Sequence, residues 1–367
     1  MDYRAAIDRV AAVAAEAAKA TDDADLFVTA GYAALKREGL FKAHVPAELG
    51  GGGASHAEMC ALIRRLGQSC SSTALAFSMH THIVSVAAWR WRNEKAPTDG
   101  LLKRVANEDL VLVSSGGSDW LRSAGRAERI EGGYKITARK IFASGSPMGD
   151  LLVTSAVYDD PDNGATVLHF AAPLKAQGVT VHDNWRAMGM RGTGSHDIEL
   201  DGVFIPDSAI SGKRPQGKWH PLFHAISMLA FPLIYAAYLG VAEGARNKAI
   251  EIARKKPDDG HVAYLIGEME NAFASAAMAH DYMVAVAAGK PGPETTSRAM
   301  IGRTLVGRNA IRTVELALEV AGGAAFYRAA GLERAFRDIQ AARFHPLQEK
   351  PQLRYTGRVA LGLDIDN

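Results

Sequence analysis

Near the start of the chain, Ala, Leu, Val and Ile recur at helical spacing in Ile7–Ala20, Ala24–Glu38 and Ser55–Leu66. That spacing gathers apolar side chains on one face of a helix. Ser55 followed by Glu58 forms a capping box for the third helix, and the run Gly50–Gly53 before it predicts a loop. The period changes near residue 109. Leu110–Ser114, Tyr134–Ala143, Leu151–Tyr158, Thr166–Ala171, Val179–His182 and Ile198–Ile205 are short β-rich runs. Turn residues such as Gly132–Gly133 and Asp159–Gly164 part them. Strands with no helix between them predict a compact antiparallel barrel or sandwich. Pro206–Lys218 reads as a linker, and helical spacing then returns. In Arg298–Val320, Ile301, Leu305, Val306, Ile311, Val314 and Leu318 are apolar, and Gly322–Gly323 ends the helix. The predicted domains are 1–108, 109–208 and 219–367. They stand in a row, or form a helical body with a β-barrel domain inserted on one side.

Composition narrows the function classes. The 367 residues are 48% hydrophobic and 22% charged, the balance of a folded globular protein. Lys and Arg total 42 against 40 Asp and Glu, a formal charge of +2. That lacks the basic excess of a nucleic-acid binder. Cys60 and Cys70 fit no metal spacing and no disulfide framework, so a reducing cytoplasm is the expected setting. The N-terminal residues carry scattered acids and no solid apolar block, unlike a signal peptide. Met228–Ala242 is the longest apolar run, short of the roughly 20 residues of a membrane span and interrupted by Pro232. No membrane partner is expected.

No metal motif, P-loop, GxSxG or strand-following GxGxxG is present. Three loops in the β block remain. Ser114–Asp119 combines small residues, which let backbone N–H groups approach a ligand, with serine hydroxyls; its bland reading is a polar turn. Ile141–Gly145 sets an aromatic beside a hydroxyl and a glycine, suited to a planar ligand or to a plain strand end. Trp185–Ser195 is a glycine-rich loop carrying Arg186 and Arg191.

Five segments share the order and spacing of the acyl-CoA dehydrogenase superfamily, which the chain resembles over nearly its whole length. They are Val45–Glu58, Gly116–Asp119, Glu131–Gly145, Trp185–Pro206 and Leu332–Asp338. The resemblance implies an N-terminal α-helical domain, a middle β-barrel domain and a C-terminal four-helix bundle. It also implies a homotetramer, with flavin bound between the last two domains. Carried over, Ser115, Gly117, Ser118, Phe142, Ala143 and Ser144 become flavin contacts. Gly322–Gly323 resembles the glycine pair near the dinucleotide of FAD-bound relatives. In such proteins the cofactor carries the chemistry and the chain positions and tunes it.

Departures from the family pattern bear on the reaction. The Glu that family dehydrogenases place eight residues after the Arg-Asp pair is Pro346 here, counted from Arg337–Asp338. The other usual position, early in the first C-terminal helix, reads Met228–Leu233 with no acid. Glu349 is close in sequence only. His345 stands beside the missing base, and imidazole titrates nearest neutral pH. Such a segment, with Ser144, resembles two-component flavin monooxygenases of the same fold. The expected catalytic residues are therefore His345, Ser144 and His80. His80 and His82 are two apart and point to different helix faces, so at most one lines the pocket. The expected activity is a reduced-flavin monooxygenase acting on a small molecule, served by a separate flavin reductase. The alternatives are an acyl-CoA dehydrogenase with His345 or Glu349 as base, and a flavin-binding member without redox chemistry. The segment Ala253–Gly260 lacks the Phe-Gly of FAD-binding relatives, and Glu268 or Glu270 stands where they carry Gln. The flavin is FMN or FAD.

Overall fold

A computed structural model describes residues 2–255 and 260–366 of the chain. The N-terminal part holds α1 (Tyr3–Asp23), α2 (Thr29–Arg37), α3 (His56–Gly67), α4 (Ser71–Glu94) and α5 (Asp99–Glu108). The Ser55–Glu58 capping box forms at the start of α3, with both reciprocal hydrogen bonds made. The single helix read over Ala24–Glu38 begins only at Thr29, because Asp25 takes a left-handed backbone that ends the preceding turn.

Eight strands follow: β1 (Leu112–Ser114), β2 (Arg126–Ile130), β3 (Gly133–Ala143), β4 (Leu151–Asp160), β5 (Gly164–Pro173), β6 (Val179–Val181), β7 (His196–Pro206) and β8 (Ile210–Pro215). They form one sheet in the order β6-β7-β3-β2-β4-β5-β8, with β1 parallel to β4. The ends of that path, β6 and β8, are not paired to each other, so the expected barrel is an open sheet among the described residues. Side chains from both ends of the path still share one core, including Ile136, Leu152, Phe170, Ile198 and Val203. The expected linker Pro206–Lys218 contains β8, which pairs antiparallel with β5. Its segment Ile-Ser-Gly-Lys-Arg-Pro shows no apolar alternation, and the partner strand together with buried Arg214 sets its conformation.

The C-terminal part is α6 (Pro221–Ala253), α7 (Gly260–Val286), α8 (Pro293–Ala321), α9 (Leu332–Ile339) and α10 (Glu349–Ala360). α6 runs straight through Pro232 and well past the apolar run seen in sequence. By length and composition it could cross a membrane, yet nearly all of its most apolar window is buried in the protein. α3, α4, α7 and α8 pack around it. Half-buried His56 and buried His280 bond the Leu229 and Pro232 carbonyls along this stretch (2.8 and 2.9 Å). α6 thus serves as the shared wall between the N-terminal helices and the C-terminal bundle.

Candidate functional site

The turn after β1 is drawn tightly onto the end of β3. The Gly116 N–H donates to the Ile141 carbonyl (2.8 Å), and a Cβ on Gly116 would fall 2.7 Å from that of Phe142. A Cβ on Gly117 would lie 2.6 Å from the Pro346 ring. Glycine is required at both positions by close approach. The second contact brings the C-terminal segment against the turn. Asp119 closes the turn from below: its Oδ2 meets the Lys140 ammonium at 2.9 Å and accepts from the Thr154 hydroxyl at 3.3 Å. Thr154 also pairs with the Ser115 hydroxyl at 2.9 Å. The Lys140 side chain is wholly buried and also donates to the Ala124 and Ser155 carbonyls, each at 2.5 Å. Burial pulls its pKa down and the Asp119 carboxylate opposes that pull. The side chain of Ser118 lies outside the described residues.

At the end of β3 the pairing with β7 shifts register between Lys140 and Ala143, and Phe142 adopts a φ of 57°. The result separates three neighbours. Ala143 faces the sheet core. Phe142 is 53% exposed, with its ring edge-on to Trp185 at 5.8 Å. Ser144 turns its hydroxyl to Ser195 (2.8 Å), which continues to Thr193 (2.6 Å). Ala143 can therefore offer a ligand only its backbone.

His345 follows a short turn at Gln340–Arg343. Arg303, buried on α8, donates from Nη2 to the carbonyls of Ala342 (3.2 Å), Arg343 (3.4 Å) and His345 (2.8 Å). The Tyr235 hydroxyl donates to the Ala342 carbonyl as well (2.8 Å). The imidazole stands edge-on to Tyr238 and Tyr235, at 5.5 and 6.4 Å between ring centres. Burial, then the charges of Arg303 and His82, push its pKa down to about 3. It is thus a neutral imidazole at pH 7. Among the described residues no group hydrogen-bonds either ring nitrogen, so both are available to a ligand.

His80 does not join this cluster. Its Nε2 bonds the Phe41 carbonyl (2.8 Å) and its Nδ1 accepts from the Leu112 N–H (3.0 Å). Both nitrogens are spent tying α4 to β1 and to the N-terminal helices. His82, two residues on, is the one within electrostatic range of His345, and burial lowers its pKa to about 4. Gly322–Gly323 are also apart from the others. Gly307 of α8 sits against Tyr235 and Ala342, and 15 further residues of helix carry the chain roughly 22 Å to Gly322. There Gly322 helps line a separate cavity of about 350 Å³ with Leu318, Phe326 and Phe336. Glu349 grips Arg308 at 2.5 Å and is held below the usual carboxylate range by it. Glu268 and Glu270 pair with Arg312 (2.7 Å) and Arg246 (2.6 Å). Lys256–Asp259 lie outside the described residues.

Sequence reasoning missed Trp120, Tyr235, Tyr238 and Arg303: the two tyrosines lie in the apolar run Met228–Ala242 and look like core, Trp120 follows a polar turn, and Arg303 reads as a solvated charge. It also gave the Arg-Asp pair no structural task. Asp338 accepts the Met190 N–H (2.5 Å) and the Ser71 hydroxyl, while Arg337 grips Asp22 (2.6 Å) and Glu333 (2.8 Å). This clasp ties the Trp185–Ser195 loop and α4 to α9, and so sets where His345 falls.

The residues present fit a flavin. Exposed Phe142 and half-buried Trp185 offer an aromatic wall, Ser144 a hydroxyl, and the glycine turn a surface cleared of side chains. Close to the turn and to His345, Tyr238 OH, Arg303 Nε and Asp119 Oδ1 are buried with no hydrogen-bond partner among the described residues, polar capacity that native proteins seldom leave unused.

Comparison with known proteins agrees. Residues 2–107, 114–203 and 233–349 match the N-terminal, middle and C-terminal domains of acyl-CoA dehydrogenase. The chain is 28% identical to the amino sugar nitrososynthase RubN8 of Streptomyces rubradiris, over 93% of this chain and 85% of that one. It superposes on KijD3, solved with FMN and a dTDP-linked amino sugar, with a TM-score of 0.88 at 26% identity, covering 99% and 93% of the two chains. FMN-bound TdsC from Paenibacillus sp. A11-2 shares the fold alone, with a TM-score of 0.87 at 19% identity over 100% of this chain and 99% of that one. With three successive family domains matched over most of its length and the fold shared, the chain belongs to the acyl-CoA dehydrogenase superfamily of flavin-dependent oxidoreductases.

Proposed function

We propose that this chain is a monooxygenase that takes reduced FMN from a separate flavin reductase and uses molecular oxygen to oxygenate a small molecule. The observation that carries this reading is the neutral His345 imidazole, with both ring nitrogens free for a ligand among the described residues, one residue before Pro346, which stands where a dehydrogenase would carry its carboxylate. When bound, reduced FMN supplies two electrons to oxygen, one atom of which enters the substrate while the other leaves as water.

The chain's residues do the rest. Phe142 and Trp185 wall the ring system, Ser115 and the Gly116–Gly117 backbone line its polar edge, and the Ser144 hydroxyl offers a hydrogen bond there. His345 donates one N–H to developing negative charge on oxygen without bringing its own charge into the pocket. The apolar rings of Tyr235 and Tyr238 exclude water that would otherwise release peroxide. His82, rather than His80, is the second imidazole placed to assist. The dehydrogenase alternative lacks a base: Glu349 is held by Arg308, and an imidazole whose pKa is about 3 is a poor acceptor for an α-proton. FMN is preferred to FAD because the structural neighbours KijD3 and TdsC hold FMN and Ala253–Gly260 lacks the Phe-Gly of FAD-binding relatives. We place the protein in the cytoplasm, with Cys60 and Cys70 buried and free. We read it as a homotetramer, on the exposed Tyr264, Met278 and Tyr282 of α7 and Leu305 of α8.

The test mixes the protein with chemically reduced FMN, oxygen and a small-molecule probe such as indole, and separately with oxidised flavin and an acyl-CoA thioester under anaerobic conditions. Oxygen-dependent formation of an oxygenated product is expected. Bleaching of the flavin by the thioester would overturn the reading.

A further inference from the structure

The rings around Trp120 take no part in the chemistry above. The Trp120 main chain is pinned: Arg214 donates to the carbonyls of Trp120 (2.8 Å) and Leu121 (2.6 Å). The same guanidinium lies 4.5 Å over the Phe223 ring. The indole itself is held by ring contacts, since its buried N–H has no acceptor among the described residues. It is stacked on Phe223 and Phe231, at 5.6 and 5.7 Å and about 20° between planes. Those two phenylalanines are eight residues apart on α6, about 12 Å along its axis. Ser227 lies midway on the same face, with its hydroxyl turned back to the Phe223 carbonyl (2.6 Å). The helix therefore presents a slot walled by two phenyl rings over a small floor, and the protein fills it with its own bicyclic aromatic group.

The slot leads to the reactive cluster. Phe231 is 6.3 Å from Tyr235, and Tyr235 is 6.4 Å from His345. Gly117, three residues before Trp120, abuts Pro346.

We propose that the Trp120 indole stands in for substrate, and that the slot between Phe223 and Phe231 receives a planar, bicyclic aromatic or heteroaromatic group when the indole turns out. This deepens the monooxygenase reading and rests on it for the fate of the ligand. Flat faces match the parallel walls, and an unpaired indole N–H marks a side chain that loses no hydrogen bond by leaving. A saturated acyl chain or a sugar ring has no such face to offer.

The test measures binding without turnover, by calorimetry on the full-length protein loaded with oxidised FMN. The probes are indole, n-octylamine and glucosamine. Trp120→Ala is expected to bind indole at least tenfold more tightly than wild type, with no comparable gain for the other two. Equal gains for octylamine or glucosamine, or no gain for indole, overturn the proposal. Should Trp120→Ala fail to fold, Ser227→Leu raises the floor from α6 without altering the turn. It is expected to weaken indole binding to the otherwise native protein about tenfold, and unchanged binding overturns the slot. Because oxygen is not consumed, failure of the oxygenase reading leaves these results standing, and failure of the slot leaves oxygenation testable.

Discussion

The Lys140–Asp119 pair is the most exacting place to test how the flavin turn is held. The Lys140 side chain has no solvent exposure and Asp119 has 9%. Replacing Lys140 with Met keeps the aliphatic stem and removes the ammonium. A carboxylate then remains buried with only the Thr154 hydroxyl at 3.3 Å, and the carbonyls of Ala124 and Ser155 lose their donor. Breaking a buried pair from one side costs about 3–5 kcal/mol, which shifts the folding equilibrium roughly 150- to 5000-fold. Asp119→Asn costs less, because the ammonium keeps its two carbonyls. Lys140→Met combined with Asp119→Asn recovers part of the loss, since no buried charge is left unpaired. The assay is urea unfolding followed by tryptophan fluorescence, with FMN affinity measured by flavin quenching on the same samples. Weakened FMN binding should accompany the stability loss, because the pair sits directly under Ser115–Gly117. A Lys140→Met protein within about 1 kcal/mol of wild type would refute the reasoning, as would a double variant less stable than Lys140→Met alone.

Further outcomes follow from the same geometry. His345→Ala should uncouple oxygen consumption from product, raising hydrogen peroxide release; unchanged coupling removes His345 from the mechanism. On the proposed reading, Ser144→Ala removes one hydrogen bond to the flavin, about 0.5–1.5 kcal/mol, so FMN should dissociate roughly 2–10-fold more readily in a quenching titration. His80→Leu should lower stability by about 2–3 kcal/mol, since it strands the buried Phe41 carbonyl and Leu112 N–H. The oxygen-to-product ratio of the protein that remains folded should not change. Stability should also fall as pH drops below 6.5. Burial holds the folded-state pKa of His44, His80 and His82 near 4 and that of His345 near 3. The unfolded chain therefore binds protons first, and the stabilisation present above pH 6.5 is lost progressively towards pH 4. Urea midpoints that stay level between pH 7.5 and 5 would contradict this.

Local patterning carried the reading a long way. The α3 capping box, the end of α8 at Gly322 and most strands were legible because each depends on neighbours a few residues apart. β8 was not, since its pairing partner β5 lies some 45 residues earlier and its own residues show no alternation. The two histidines of α4 show the same limit. Spacing established that His80 and His82 face opposite ways, but only the packed structure reveals that Phe41 and Leu112 claim both nitrogens of the first. Arg303 had no signal at all: on an amphipathic helix it reads as a solvated charge, whereas it is buried and bonds three carbonyls around His345.

The order of residues alone settled the helix–strand–helix architecture, the family, and the replacement of the expected glutamate by Pro346 beside His345, because periodicity and motif spacing are properties of adjacent positions. Three-dimensional packing decided which groups meet. It opened the barrel into a sheet, set Glu349 against Arg308 and placed the Trp120 indole between Phe223 and Phe231. Those outcomes depend on contacts between segments tens to hundreds of residues apart, formed by burying apolar surface that no single segment can cover alone.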